Sequence, residues 1–142
     1  MAASASKVGT GVCSILQGDF NDDPSSSVYT LASSTFDSVY GPQGAGTASG
    51  CCTRPRARLA RAHVCWRFPE SEPKFTTWKY RPDADGRPKD SCHVIDYIFH
   101  SAGLRPVQLW DIPTAEEIGA GALPCSRYPS DHVSLAAVFR YA

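Results

Sequence analysis

The sequence predicts one domain of mixed α/β (α+β) class. Segments rich in β-branched and aromatic residues at 12–17, 92–99 and 132–141 are typical of strands. Clusters of Asp, Ser, Thr and Pro between them favour helix starts and turns. A length of 142 residues with 42% hydrophobic side chains is enough to bury one compact core. Strands with intervening helices and loops therefore indicate a mixed α/β sandwich.

The first predicted strand is the apolar run VCSILQ at 12–17, which is expected to be buried. It leads into GDFN at 18–21. Side chains two residues apart share one face of a strand, so Asp19 and Asn21 are expected on one side and Phe20 on the other. This arrangement suits a functional site at the edge of a sheet.

Local signals predict the remaining elements. The segment DPSSS at 23–27 favours a short helix over 28–31, because Asp and Ser are good N-caps and Pro suits a first helical turn. Asp85 and Gly86 form a hairpin signal. The other predicted elements are strands at 74–81, 92–99 (buried nearly throughout), 107–110 and 132–141, and a helical turn at 115–118 capped by Thr114.

Residues 41–73 are predicted to form an irregular Gly- and Arg-rich insertion in a domain that spans 12–142. A disordered or non-native lead-in is expected at 1–11. The arginines of the insertion, together with Trp66, could contact an acidic ligand or RNA. A solvated loop is the simpler interpretation of the same residues.

Composition narrows the functional class. The 14 basic and 14 acidic residues cancel, so no global positive field favours nonspecific binding to nucleic acid. No apolar run approaches the ~20 residues that span a bilayer, and no membrane partner is expected. Six cysteines without a CxxC pair are expected to be reduced thiols. A zinc cluster is disfavoured because its candidate ligands include adjacent cysteines, which suit a tetrahedral site poorly; they are Cys51, Cys52, His63 and Cys65.

Polar residues near strand ends are the candidates for chemistry. An ionised Asp96 within the apolar run VIDYIF is costly unless it is paired, and His132 is a natural partner for it. Asp19 and Asp131 offer the hard oxygen ligands that Mg²⁺ prefers, and Asn21 offers a neutral donor to a developing oxyanion. Together these groups favour metal-assisted hydrolysis of a phosphate ester. Taken singly, the Asp and Asn residues could equally shape turns.

Several motifs in order resemble the endonuclease/exonuclease/phosphatase superfamily, and within it the branch of nocturnin and the carbon-catabolite-repressor-type deadenylases. They are GDFN at 18–21, FTTWK at 75–79, HVIDYIF at 93–99, IPTAEEIGAGALP at 112–124 and LPCSRYPSDHVSL at 123–135. The resemblance covers 12–142 apart from much of 41–73. It implies the C-terminal half of a four-layer α/β/β/α sandwich of the DNase I-like type, with a mixed β-sheet.

The resemblance also implies that a first half is absent, because GDFN begins at residue 18. In the family, that half carries an asparagine and the glutamate that is the principal Mg²⁺ ligand. Without it we expect an impaired metal site and an exposed apolar sheet face. We therefore expect poor solubility of the isolated chain, or association with a complementary N-terminal fragment.

The resemblance assigns roles to individual residues. Asp19 would orient or deprotonate the attacking water, and Asn21 would contact the scissile phosphate. Asp96 would pair with His132, which would bind or protonate a phosphate oxygen. Asp19 and Asp131 would serve the metal site, which would hold Mg²⁺ or, alternatively, Mn²⁺. The substrate-side residues would be Lys79, Trp78 and Arg81.

The substrate implied by the resemblance is a nucleotide phosphate, with removal of the 2′-phosphate of NADP(H) as the leading activity. One alternative is a poly(A)-specific 3′ exoribonuclease that acts on the 3′ end of RNA. Another is a catalytically inactive fragment or interaction module. A cytoplasmic location is expected, with a mitochondrial one as the alternative.

Overall fold

A computed structural model describes residues 11–41, 64–65 and 71–142. Within these ranges the chain forms two helices and eight strands. The helices are α1 (Ser27–Thr35) and α2 (Ala115–Ile118). The strands are β1 (Ile15–Asp19), β2 (Asp37–Ser38), β3 (Val64–Cys65), β4 (Thr77–Pro82), β5 (Pro88–His93), β6 (Asp96–His100), β7 (Leu104–Trp110) and β8 (Ala137–Tyr141).

The strands form three antiparallel units. One sheet has the order β1-β6-β2, a second has the order β3-β7-β8, and β4 and β5 form a separate hairpin. The hairpin turns where the sequence predicts it, at Asp85 and Gly86, and Gly86 adopts a left-handed φ of 77° there. The α/β class predicted from the sequence is confirmed.

Successive side chains of β6 point to opposite faces of the sheet, so the strand lies between two hydrophobic clusters. Tyr97 and Phe99 are buried on the face that packs against α1, where Tyr29 of the helix contacts both rings. Ile98 is buried on the opposite face, against Leu109 of the second sheet. The described residues thus stack as a helix layer and two sheet layers, in agreement with part of an α/β/β/α sandwich.

Both helices begin at residues that satisfy their free backbone N–H groups. The Ser26 side chain accepts a hydrogen bond from the N–H of Tyr29 at the start of α1. Thr114 caps α2, and the Glu117 carboxylate accepts the N–H of Thr114 in return, which completes a capping box. The predicted helix starts are confirmed, and α1 continues from Ser27 to Thr35.

Two strand predictions are wrong in detail. All five residues of β1 are exposed rather than buried, because among the described strands β1 lies at an edge of its sheet and pairs with β6 alone. The predicted strand 92–99 divides into β5 and β6, because the chain leaves the hairpin at His93 and enters the central sheet at Asp96. Cys92 and His93 are consequently exposed, whereas Tyr97 to His100 are buried.

The predicted insertion lies mostly outside the described residues. Within it, β3 pairs with β7, a pairing that the sequence does not predict. The hypothetical zinc ligands Cys51, Cys52 and His63 fall outside the described residues, as does the side chain of Cys65. Neither helix in the described ranges is long and apolar enough to cross a membrane.

Glu72, near the end of the predicted insertion, anchors the chain to the helix layer. Its Oε1 accepts a hydrogen bond of 2.7 Å from the Tyr29 hydroxyl, and a Cβ on Gly41 would lie only 2.8 Å from the same oxygen. Burial raises the pKa of Glu72, and burial together with the Glu72 contact raises the pKa of Tyr29 to about 12. The carboxylate therefore occupies a site that disfavours its charge.

The raised pKa of Glu72 predicts a pH dependence of stability. The stabilising contribution of its protonated form is fully present below the ordinary value of 4.5 and is lost as the pH rises through the folded-state pKa. We expect Glu72→Gln, which cannot ionise, to gain stability relative to the unmodified chain between pH 4.5 and neutrality. Urea unfolding across this range measures the difference.

Tyr29→Phe is the matched control for Glu72→Gln. It keeps the carboxylate, loses the hydrogen bond that lowers the pKa of Glu72, and should steepen the pH dependence of the free energy of unfolding. Parallel curves for Glu72→Gln and the unmodified chain would contradict the prediction.

Candidate active site

The register of β1 and β6 brings two carboxylates together. Asp19, the last residue of β1, lies directly opposite Asp96, the first residue of β6. Directly opposed residues of an antiparallel pair lie on the same face, and like charges there repel. Two carboxylates in this position therefore favour a bound cation or a shared positive partner.

His132 contacts one of these two carboxylates. Its Nδ1 lies 2.9 Å from Oδ2 of Asp96, and both side chains are only partly exposed. An ionised carboxylate can only accept a hydrogen bond, so Nδ1 carries the proton of this contact and Nε2 is the second, independent nitrogen of the ring. The pairing of Asp96 and His132 predicted from the sequence is present in the structure.

Asn21 lies just beyond the end of β1, so the prediction that it shares a strand face with Asp19 is wrong in its structural basis. Its N–H donates to Oδ1 of Asp19 at 2.8 Å, and its φ of 52° is left-handed. This local hydrogen bond turns the chain after Asp19, as Asp and Asn commonly do. Phe20, between them, packs on Tyr97 and Phe99. Asp19 is thereby fixed between a core aromatic ring and a turn.

Asp131 pairs with a different group. Oδ2 of its carboxylate accepts a hydrogen bond from Nζ of Lys79, and this contact holds the pKa of Asp131 below its usual range. Because Asp131 is adjacent to His132, the ion pair lies beside the Asp96–His132 contact. A role for Asp131 at a metal site stays a prediction.

The three substrate-side residues predicted from the sequence divide between the faces of the hairpin. Trp78 packs on Phe75, with ring centroids 5.6 Å apart, and its indole N–H donates to Asp90 at 2.7 Å. By strand alternation Lys79 and Arg81 share the opposite face. Arg81 is exposed, directly across from Lys89. The structure therefore groups the two cations together and separates Trp78 from them.

The ligand atoms of Asp19, Asp96 and His132 all lie within 4.8 Å of one another. Within the described part of the chain, Oδ1 of Asp19 and Oδ2 of Asp96 make these protein contacts, and the second oxygen of each carboxylate is a potential ligand. Two carboxylates suit Mg²⁺, which binds few protein oxygens and retains several waters. The residues present fit such an ion through Asp19 and Asp96.

Sequence reasoning did not single out the threonines that join these loops. Thr77 forms an isolated antiparallel bridge with His132, and its hydroxyl donates to the carbonyl of Asp131 at 2.8 Å. Residues 132–136, predicted as the start of the last strand, leave that strand for this contact, and β8 begins only at Ala137. The feature of the sequence that could have indicated this role is the pair of adjacent threonines between Phe75 and Trp78.

Comparison with known proteins identifies the family. The model of the Endonuclease/Exonuclease/phosphatase family matches residues 5–132. The chain is 34% identical over 134 residues to nocturnin of Xenopus laevis, covering 94% of this chain and 28% of that protein. It is 32% identical over 128 residues to nocturnin of Homo sapiens, covering 89% of this chain and 24% of that protein. The chain thus spans about a quarter of the length of these relatives. It belongs to the endonuclease/exonuclease/phosphatase family.

Proposed function

We propose that this chain is part of a Mg²⁺-dependent phosphoesterase that removes the 2′-phosphate of NADP(H). In this proposal Asp96 and His132 form its catalytic dyad. The supporting observation is the convergence of Asp19, Asp96 and His132 within 4.8 Å, with the imidazole bonded to a carboxylate. Two carboxylates and an oriented imidazole supply an ion site and a proton carrier, which hydrolysis of a phosphate ester needs. The similarity to nocturnin favours a nucleotide as the substrate.

Each residue of the site has a defined role in this proposal. Asp19 orients the water that attacks phosphorus and accepts its proton. Asp96 holds the Nδ1–H of His132 and leaves Nε2 facing the substrate, where a protonated Nε2 would donate to a phosphate oxygen. As the bond between phosphorus and the ester oxygen breaks, that oxygen takes up a proton from solvent water, Asp19 returns the proton of the attacking water to solvent, and inorganic phosphate is released. When bound, Mg²⁺ polarises the phosphoryl oxygen and offsets its charge.

The cations of the hairpin suit the phosphates of the substrate. Lys79 is positioned by Asp131 beside His132, and Arg81 follows it on the same face of β4. Arg81 and Lys89 oppose each other across the hairpin, and like charges in this position are relieved by an anion. Arginine and lysine are both established phosphate-binding side chains. We propose that Asn21 contacts the phosphate that is cleaved.

The substrate is tested by following phosphate release from NADPH and shortening of oligo(A) with the same preparation. We expect slow release of inorganic phosphate from NADPH in the presence of Mg²⁺, because the metal site is expected to be impaired, and loss of that release when EDTA is added. Shortened oligo(A) without phosphate release from NADPH would instead indicate the 3′ exoribonuclease. If neither substrate reacts, the proposal is wrong for this chain, and the inactive-fragment hypothesis takes its place.

A further inference from the structure

Two of the most buried side chains next to the site are polar. Thr76 is 0% exposed and Thr77 is 1% exposed. Threonine is not a usual choice for complete burial, because its hydroxyl must be satisfied there. The contacts of both residues lead to the segments that carry Asp96 and His132.

The Thr76 hydroxyl accepts hydrogen bonds from two successive backbone N–H groups. Oγ1 accepts from the N–H of Ile95 at 2.9 Å and from the N–H of Asp96 at 3.0 Å. Ile95 lies in the two-residue gap between β5 and β6, and Asp96 is the first residue of β6, so both donors lie where the chain passes from one strand to the next. The hydroxyl therefore fixes the backbone of Asp96 at the residue that carries the carboxylate.

The backbone of Thr76 also contacts the segment that carries His132. The carbonyl of Thr76 accepts from the N–H of Val133 at 2.8 Å, and Thr77 bridges His132. The N–H of Thr76 donates to the carbonyl of His93 at 2.8 Å, which ties it to β5 as well. Thr76 thus contacts the residue that carries the carboxylate and the neighbour of the imidazole.

We propose that Thr76 is a positioning residue that acts through its hydroxyl to hold Asp96 against Nδ1 of His132. It does not touch substrate or the reacting atoms. Asp96 and His132 are 36 residues apart, and Thr76 is separated from Asp96 by 20. The contact that orients the imidazole therefore depends on a third segment. This inference rests on the proposed function, because the pair that it positions is the pair assigned to catalysis.

The test uses the tautomer of His132, which is measured without substrate or metal. In the ¹⁵N-labelled chain at alkaline pH, two-bond ¹H–¹⁵N correlations distinguish an Nδ1–H ring from an Nε2–H ring, and His132→Gln assigns the signals. We expect the unmodified chain to show mainly the Nδ1–H tautomer, and Thr76→Val to lose most of it. Thr76→Ser restores the hydroxyl and should match the unmodified chain.

Comparing the loss of the Nδ1–H tautomer in Thr76→Val and Thr76→Ser distinguishes a positioning role of Thr76 from a packing role. Valine keeps the shape of threonine, whereas serine leaves a space in the core, so a packing role would make Thr76→Ser the more disturbed variant. An unchanged tautomer in Thr76→Val, or equal loss in Thr76→Ser, overturns the proposal. If Thr76→Val gives no dispersed amide spectrum, Thr76→Cys replaces it, because its thiol is a weak acceptor. Reduced Nδ1–H in that variant supports the proposal, and an unchanged population overturns it.

The readout also separates this inference from the proposed function. A chain that releases no phosphate from NADPH, yet shows the expected order of tautomers, refutes the proposed function and supports the positioning role. A chain that releases phosphate with the same His132 tautomer in all variants does the reverse.

Discussion

Asp96→Asn is expected to lower the rate of phosphate release by about 10²–10⁴-fold, the range that general acid–base catalysis usually contributes. The carboxylate of Asp96 accepts from Nδ1 of His132 at 2.9 Å. An asparagine amide has no charge to stabilise a protonated ring, and its NH₂ group can select the other tautomer. Steady-state kinetics on NADPH measure the effect, which should fall mainly on kcat because the proposed role of the pair is in the transition state.

The matched control is Asp85→Asn, which removes the same charge from the exposed hairpin turn and should leave the rate unchanged. A second check is the double variant Asp96→Asn with His132→Ala. Residues that act as a unit are not additive, so the double variant should be little slower than the more damaging single variant. Near-normal kcat in Asp96→Asn, or fully multiplicative losses, would count against the dyad.

Phe99→Ala is expected to reduce the free energy of unfolding by about 3–5 kcal/mol. Phe99 is 0% exposed, and its ring lies 5.5–5.7 Å from those of Tyr97, Tyr29 and Phe20. Truncation removes these aromatic contacts and leaves a cavity between α1 and the central sheet. Such a loss is a large part of the roughly 5–15 kcal/mol that stabilises a typical domain. Urea unfolding measures it from the shift in midpoint.

Leu31→Ala is the control for this measurement, because Leu31 lies on α1 but is 74% exposed. Its effect should be within about 0.5 kcal/mol, as is usual for surface positions. Phe99→Leu keeps most of the volume and should fall between the two. Equal destabilisation by Phe99→Ala and Leu31→Ala would show that the aromatic cluster is not the core of this layer.

Local features of this fold could be predicted from the sequence, because neighbouring residues determine them. Ser26 and Thr114 cap helices with their own side chains, and Asp85 with Gly86 satisfies the geometry of a tight turn. The pairing of Asp96 with His132 was also predictable, since an acid in an apolar strand needs a partner. The helix caps and the turn need no knowledge of distant contacts, and the Asp96–His132 pair needs only the requirement that a buried acid have a partner.

The features that could not be predicted depend on distant residues. At the break between β5 and β6, the Thr76 hydroxyl, 19 residues before Ile95, accepts the N–H groups of Ile95 and Asp96. The attachment of Asp131 to Lys79 spans 52 residues. Whether an apolar run such as 12–17 is buried depends on its place in the sheet, and β1 lies at the edge. Periodicity along the chain contains none of this information.

The pairing of Asp19 with Asp96 ties the chemistry of this protein to a mechanical property of its central sheet. A slip of one residue between β1 and β6 would send one carboxylate to the opposite surface while every residue of the constellation stayed in the sequence. The ring of Phe20, the residue after β1, packs against the ring of Tyr97 on β6 and opposes such a slip. Insertions and deletions within these two strands should therefore be far less tolerated than substitutions there, even where the side chains point to solvent.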